Sequence, residues 1–435
     1  MSSRRLAVVG AGPVGLTSAK HAVLNGFDVE IFDKKNAIGG RLVKRQYSAI
    51  GSAFSDFPLE SNEPMTKLEA QQYLIGYAKA FNLTEKVCLN TEVVDIRRHA
   101  DYEQNGKWTL KYKQVDDDEI QERVFDAVLV CTGFKQKPWR PNEFRMESRF
   151  KGQISYASDF KSADKYANKV VVLVGFGNSS SEIARHLGPI AKKTYIAARR
   201  GEWTWEQFDS DGKPFDLNYN NRLHYTLRSV TPKLVRNFIW ERESTKHFVY
   251  SQKPGHRFLS TFPVFIDGLE ELLSNGRLEF EENLLSFTED GVEFKSGRVV
   301  EHVIFCTGYK FDFDLIEDGF LVGVHDNDFQ MYMHMFPVEL RKHPTLACIG
   351  FVQPQLGCVW PIAELQAQLF FSVLNGKFKL PSIFDMRKDA EIRRCNINLD
   401  FLRTRRHTHV EDFVHFSDEL SALIEGQAVT CKSVF

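Results

Sequence analysis

Several common functions are excluded by what this chain of 435 residues does not carry. Its formal net charge is -1, from 56 Lys and Arg against 57 Asp and Glu, so no global field draws it to nucleic acid or to an anionic membrane. No window holds about 18 consecutive apolar residues, so no membrane span is expected. The seven cysteines (88, 131, 306, 348, 358, 395 and 431) show neither a CxxC pair nor zinc-type spacing. A dithiol–disulfide reductase needs such a pair and is excluded. Unpaired thiols fit a reducing compartment, read here as the cytoplasm. The thirteen histidines offer no HExxH and no facial-triad spacing, so no metal is expected. The start Met1-Ser2-Ser3-Arg4-Arg5 imitates a secretory leader, but the apolar run behind it breaks at Gly10. The cluster Arg403, Arg405, Arg406, His407 and His409 reads as a solvated basic face rather than a polyanion site, with both imidazoles exposed.

What remains is ordinary globular composition, 43% hydrophobic and 26% charged, with length enough for two or three domains. Against that background two glycine-rich turns stand out. Gly10-Ala11-Gly12-Pro13-Val14-Gly15 follows the apolar run Leu6-Ala7-Val8-Val9, and Gly175-Phe176-Gly177-Asn178-Ser179-Ser180 follows Val170-Val171-Val172-Leu173-Val174. Each sits between a buried-strand run and a helix-compatible stretch. In a dinucleotide-binding turn the first glycine permits the bend, the second lets backbone approach the pyrophosphate, and the third lets helix and strand pack closely. The pyrophosphate then rests on a helix N-terminus, where unpaired N–H groups and the helix dipole favour an anion.

The first turn has all three glycines. Asp33 closes the next strand, where a carboxylate can accept from ribose hydroxyls. The second turn has Ser180 in the third place, and its next strand ends at Arg199-Arg200 with no acid. A guanidinium there pairs with a 2′-phosphate that a carboxylate would repel. Hydrogen bonds to charged groups are worth about 1.5–3 kcal/mol, enough to favour NADPH over NADH by about one to two decades. Two such turns in one chain suggest two dinucleotides held face to face, and hence redox chemistry between a flavin and a nicotinamide.

Periodicity places a strand at 6–9, a helix at 13–25, a strand at 28–32 and a helix at 65–81. Residues 90–130 read as an antiparallel meander whose last arm, 124–130, returns to a buried strand. The second unit reads as strand 170–174, helix 181–187, strand 194–198 and strand 298–306. The chain then returns to the first unit, with a strand at 346–350 and a helix at 361–374 closed by Asn375-Gly376. Residues 202–260 are aromatic-rich and weakly periodic and receive no assignment. Cys131 and Cys306 each end an apolar run and read as small hydrophobes.

Further segments stand around the two turns: Ile38-Gly39-Gly40-Arg41; Arg199, Gly201 and Trp203; Phe305-Cys306-Thr307-Gly308-Tyr309; Ile349-Gly350-Phe351-Val352-Gln353; and Glu364-Leu365-Gln366. Together these residues resemble the flavin-containing monooxygenases, a class B flavoprotein family, from Leu6 to about Leu423. The resemblance implies an α/β fold of two Rossmann-like domains, one for FAD and one for NADPH, the second inserted into the first. Residues 1–160 and 309–435 would form the FAD-binding domain and 161–308 the NADPH-binding domain. On the flavin side it implies Gly10, Gly12, Pro13, Gly15, Asp33, Gly40, Arg41 and Gln353. On the nicotinamide side it implies Gly175, Gly177, Asn178, Ser179, Ser180, Arg199 and Arg200, with Thr307 and Gly308 in the linker.

The implied reaction is transfer of one oxygen atom from O2, through a C4a-hydroperoxyflavin, to a soft nitrogen or sulfur of a small amine or sulfide. Asn178 would position the nicotinamide. Tyr156 stands where the family motif FxGxxxH, here Phe150-Lys151-Gly152-Gln153-Ile154-Ser155-Tyr156, has histidine, and would supply a hydroxyl instead. The segment 47–55, upstream of Asp56-Phe57-Pro58, is short and lacks the family's asparagine. The long apolar C-terminal anchor of many vertebrate members is not expected. Two other readings stay open: an uncoupled NADPH oxidase releasing hydrogen peroxide, and a flavin-binding protein without catalysis. A homo-oligomer is also left open.

Overall fold

The structure is a computed structural model and describes residues 3–40, 47–141, 144–247, 254–282, 284–294, 296, 300 and 302–427. The chain begins with β1 (Arg5–Val9), α1 (Pro13–Leu24) and β2 (Asp28–Phe32), then α2 (Lys67–Ala80) and the short β3 (Val87–Cys88). Thr66 caps α2 through the Glu69 N–H, and the Glu69 side chain answers at the Thr66 N–H, a reciprocal box that satisfies two orphan donors. Strands β4 (Thr91–Arg98), β5 (Trp108–Gln114) and β6 (Gln121–Phe125) form the antiparallel meander, and β7 (Ala127–Val130) follows. The single arm expected over 124–130 is therefore two strands in two sheets. Asp126 makes the break. Its carboxylate accepts from the Arg5 N–H at 2.7 Å and pairs with Lys107 at 3.2 Å, so it cannot sit inside a buried strand.

Next come β8 (Gln153–Tyr156), β9 (Val170–Val174), α3 (Asn178–Leu187) and β10 (Lys193–Ala197). Helix α3 starts three residues before the expected 181, directly on the glycine turn. The unassigned stretch 202–260 contains helices α4 (Arg222–Val230) and α5 (Lys233–Ser244). Strands β11 (Leu278–Glu281) and β12 (His302–Phe305) complete this part; residues 298–299 and 301 of the expected 298–306 strand lie outside the described residues. The chain finishes with β13 (Leu346–Cys348), α6 (Val359–Leu374), α7 (Ile383–Asp400) and α8 (Phe413–Ile424). The last two helices have no counterpart in the sequence assignments.

Two five-stranded sheets result, in orders β13-β7-β1-β2-β3 and β11-β10-β9-β12-β8, parallel throughout. The strand before each glycine turn is central in its sheet. It is buried on both faces, which is why it reads as a continuous apolar run rather than an alternation. Strand β8, which lies before the division expected at residue 160, pairs with β12 in the second sheet. The second sheet lies in sequence between β7 and β13 of the first. The two linkers run side by side, with Lys137–Pro138 antiparallel to Tyr309–Lys310 and the Trp139 N–H donating to Gly308 O at 2.9 Å. Among the described residues no helix is long and apolar enough to cross a membrane.

Candidate active site

The first turn is built as its glycines require. Gly10 has φ +114°, and a Cβ there would lie 2.6 Å from Cys131 O. A Cβ on Gly15 would lie 1.7 Å from Gly10 O, so α1 touches β1 through bare backbone. Gly12 instead faces the second glycine pair: a Cβ on Gly40 would meet Gly12 Cα at 3.0 Å, and the Gly39 N–H donates to Ala11 O at 3.0 Å. Pro13 opens α1, and Gly12 caps it without a side-chain bond, leaving the helix start open to an anion. Asp33 is buried and accepts from the Ala11 and Lys35 N–H groups at 2.7 and 2.9 Å. An ionised carboxylate has about four acceptor positions, so capacity remains for ribose hydroxyls. Arg41 lies outside the described residues.

The second turn repeats this geometry. Gly175 has φ +100°, and a Cβ there would lie 3.1 Å from Cys306 O, the counterpart of Gly10 against Cys131. Ser180, fully buried, accepts from the Gly177 N–H at 2.9 Å and donates to Gly177 O at 2.8 Å. The serine thus replaces the third glycine with a cap that fixes the turn. Asn178 Oδ1 accepts from the Phe265 N–H at 2.9 Å, tying the start of α3 to the parallel pair Thr204–Trp205 and Val264–Phe265. Past β10, Arg199 is exposed, while Arg200 is half-buried and 3.7 Å from Glu202. Burial pushes the Glu202 carboxyl up, against the pull of Arg406 and Arg200.

One continuous cleft of about 2250 Å³ runs past both turns. Pockets for a single small ligand are about 300–1,000 Å³, so this space suits two dinucleotides. Its walls include Gly10, Gly12, Pro13, Asp33, Gly40, Gly175, Gly177, Asn178, Ser179, Arg199, Arg200, Thr307, Gly308, Gln353 and Tyr156. Gly15 and Ser180 do not line it; they act by packing and capping behind it. Thr307 donates to Trp139 O across the paired linkers. Tyr156 ends β8 with its ring 6.1 Å from Phe305. The Gln353 N–H donates to His409 O at 2.7 Å.

Cys131 and Cys306 border the cleft with thiols pushed up to about 12 by burial, so neither is a thiolate at neutral pH. The short segment 47–55 is held from two sides. Ser48 gives its N–H and hydroxyl to Asp216 at 3.0 and 2.6 Å, and Ser55 gives both of its donors to Glu364 at 2.9 Å. Nothing in the sequence near Asp216 marked that contact, since its partner lies 168 positions away.

The basic cluster is a solvated face only in part: Arg403 and Arg406 are exposed, but the two histidines are not. His407 and His409 are each 4% exposed, and residues 403–409 line the cleft. The neighbouring backbone pins them: His407 Nδ1 lies 3.1 Å from Leu402 O, and His409 Nε2 lies 2.8 Å from Asn327 O. Burial, then the charge of Arg406, pushes His407 down to about 3. Burial, then His334, pushes His409 well below its ordinary value. Both imidazoles are therefore neutral. Among the described residues no three His, Cys, Asp or Glu side chains are grouped to hold a metal ion.

The family described as flavin-binding monooxygenase-like matches residues 3–432. The chain is 33% identical to dimethylaniline monooxygenase (N-oxide-forming) 2 of Rattus norvegicus, over 96% of its length and 82% of the relative. It is 30% identical to flavin-containing monooxygenase 5 of Homo sapiens, over 98% and 83%. Among solved structures it is similar to S-allyl-L-cysteine S-oxygenase from Allium sativum, with a TM-score of 0.70 and 22% identity over 99% of this chain and 90% of that one. It is also similar to an oxidized steroid monooxygenase bound to NADP, with a TM-score of 0.71 and 14% identity over 98% of both chains. These two likenesses establish the two-domain dinucleotide-binding fold.

Proposed function

Because the chain belongs to the flavin-binding monooxygenase-like family, whose cofactors are FAD and NADPH, we propose that it transfers one oxygen atom from O2 to a soft nitrogen or sulfur of a small amine or sulfide. The observation that carries this reading is the single cleft joining the two turns, which lets a flavin ring and a nicotinamide ring meet. FAD would be held by Gly10, Gly12, Pro13, Asp33 and Gly40, and NADPH by Gly175, Gly177, Ser179 and Arg199. The bound flavin, reduced by NADPH, supplies the oxygen chemistry. The chain's own residues orient and enclose.

Each turn presents a helix start to a pyrophosphate. Ser180 locks the second turn by bonding Gly177. Asn178 acts as a positioning residue by fixing the Val264–Phe265 ribbon beside the cleft, and Tyr156 would supply a hydroxyl to the cleft it lines. The FAD-binding unit is residues 1 to about 152 and 309–435, with the NADPH-binding unit between them. Among the described residues the cysteines form no disulfide, which supports a reducing compartment, the cytoplasm.

The names of the relatives support nitrogen or sulfur as the acceptor. The test is NADPH consumption by FAD-loaded protein with and without N,N-dimethylaniline or a dialkyl sulfide, with product and peroxide both measured. Substrate-dependent N-oxide or sulfoxide is expected. Peroxide at a rate indifferent to substrate would mark an NADPH oxidase instead, and a flavin that NADPH does not bleach would mark a non-catalytic binder.

A further inference from the structure

Arg406 is a cation delivered across the cleft from the flavin-side unit. It lies in the loop between α7 and the strand Val410–Glu411, flanked by residues held in place. His407 is buried on Leu402 O and Thr404 Oγ1, both at 3.1 Å. Arg405 pairs with Asp326 and stacks 4.7 Å from the centroid of Trp139. Two neighbouring cations have acidic partners: Arg405 has Asp326, and Arg200 has Glu202 at 3.7 Å. Among the described residues neither a hydrogen bond nor an ion pair holds Arg406; its guanidinium stands 5.5 Å from the Phe262 ring.

Arg406 lines the cleft with its side chain exposed to that open space. Its Nη1 is 4.0 Å from the point where a Cβ on Gly177 would stand. Gly177 occupies the second-glycine place, where backbone approaches a pyrophosphate. A cation with neither hydrogen bond nor ion pair, facing open space beside an anion-binding turn, favours an anion there.

We propose that Arg406 binds the pyrophosphate of NADPH from the wall opposite the Gly175–Ser180 turn, clamping the cofactor between the two units. This rests on the reading that NADPH occupies the second turn, and it adds a contact from the C-terminal segment, 229 positions beyond Gly177. Because both NADP+ and NAD+ carry the pyrophosphate, Arg406 strengthens binding of each equally. Arg199 instead sets the preference between them.

The test is equilibrium titration of FAD-loaded wild type, R406Q and R406K with NADP+, NAD+ and adenosine 2′-monophosphate, which lacks the pyrophosphate. Flavin content and thermal midpoint serve as fold controls. A charge-assisted bidentate contact corresponds to about ten- to a hundredfold in affinity. R406Q should weaken NADP+ and NAD+ by the same factor in that range and leave adenosine 2′-monophosphate within twofold. R406K, which keeps the charge without the fork, should recover part of the loss. NADP+ affinity within threefold of wild type in R406Q overturns the clamp, as does equal weakening of adenosine 2′-monophosphate. If R406Q loses flavin, R406K decides alone: NADP+ and NAD+ weakened by one shared factor of several-fold, with adenosine 2′-monophosphate within twofold, supports the clamp, and unchanged NADP+ affinity, or loss of NADP+ and adenosine 2′-monophosphate together, overturns it. Wild type that binds neither NADP+ nor adenosine 2′-monophosphate overturns the underlying cofactor placement as well.

Discussion

Replacing Arg393 by methionine should cost about 3–5 kcal/mol of stability. Arg393 is 4% exposed and bonds Asp389, Glu411 and Glu419, each at 3.0 Å. Removing one partner of a buried ion pair costs about 3–5 kcal/mol, because the remaining charge is stranded. The carboxyl of Glu411 points in the same direction. Burial pushes it up, but Arg393 and then His334 outweigh burial and bring it from 4.5 to about 2.

Glu411 pairs with Pro354 beside the cleft wall, so the variant loosens the part of the molecule that carries Gln353 and residues 403–409. At about 2.1 cal/mol/K of unfolding entropy per residue, a loss of about 4 kcal/mol lowers the midpoint by about 4 °C. The assay is thermal and urea unfolding of wild type and R393M at pH 7. Arg97, exposed on Asp95 and Asp318, supplies the control R97M, which should leave the midpoint unmoved. The sign with pH also follows. A depressed carboxylate stabilises above 4.5 and loses that contribution as pH falls through about 2, so the gap between wild type and R393M should narrow in acid. A midpoint for R393M within 1 °C of wild type at pH 7 refutes the reasoning.

Three further outcomes are expected. Gly15→Ala would drive a Cβ to 1.7 Å from Gly10 O and should yield protein without flavin absorbance or without a fold. Gly12→Ala meets only Gly40 Cα at 3.6 Å, so it should fold yet retain FAD poorly; full FAD occupancy in both variants would contradict the assigned glycine roles. Arg199→Ala should reduce the preference for NADPH over NADH by about one to two decades. Arg200→Ala, whose side chain is already paired with Glu202, should change the ratio less, and steady-state kinetics with both cofactors ranks the two. His21, His256 and His407 are pushed by burial from 6.5 down to about 4, 4 and 3. The unfolded chain therefore binds protons below pH 6.5 that the folded chain refuses, and stability should fall as pH drops from 6.5 toward 4. Glu202 and Glu364, raised by burial, temper that slope, and a urea midpoint that does not change between pH 7 and 5 would contradict it.

The sequence by itself determined both glycine turns, the strands before them and the acid at Asp33, because a central parallel strand and a phosphate turn are specified by residues within about 30 positions of one another. It could not resolve 202–260. There Leu223, Leu227, Val230, Leu234 and Phe238 face solvent, so the apolar pattern of α4 and α5 does not report a core. Only the tertiary structure decided that 153–156 joins the second sheet, since a parallel strand finds its partner through contacts across some 150 residues. The same holds for residues 403–409. A run of arginines and histidines reads as surface until the fold surrounds it, and here the walls of the cleft come from segments as distant as Tyr47 and His409. Local chemistry fixes a turn or a strand, whereas burial is a property of the whole chain, and burial makes His407 a neutral spacer beside Arg406, whose guanidinium the fold sets facing the second turn.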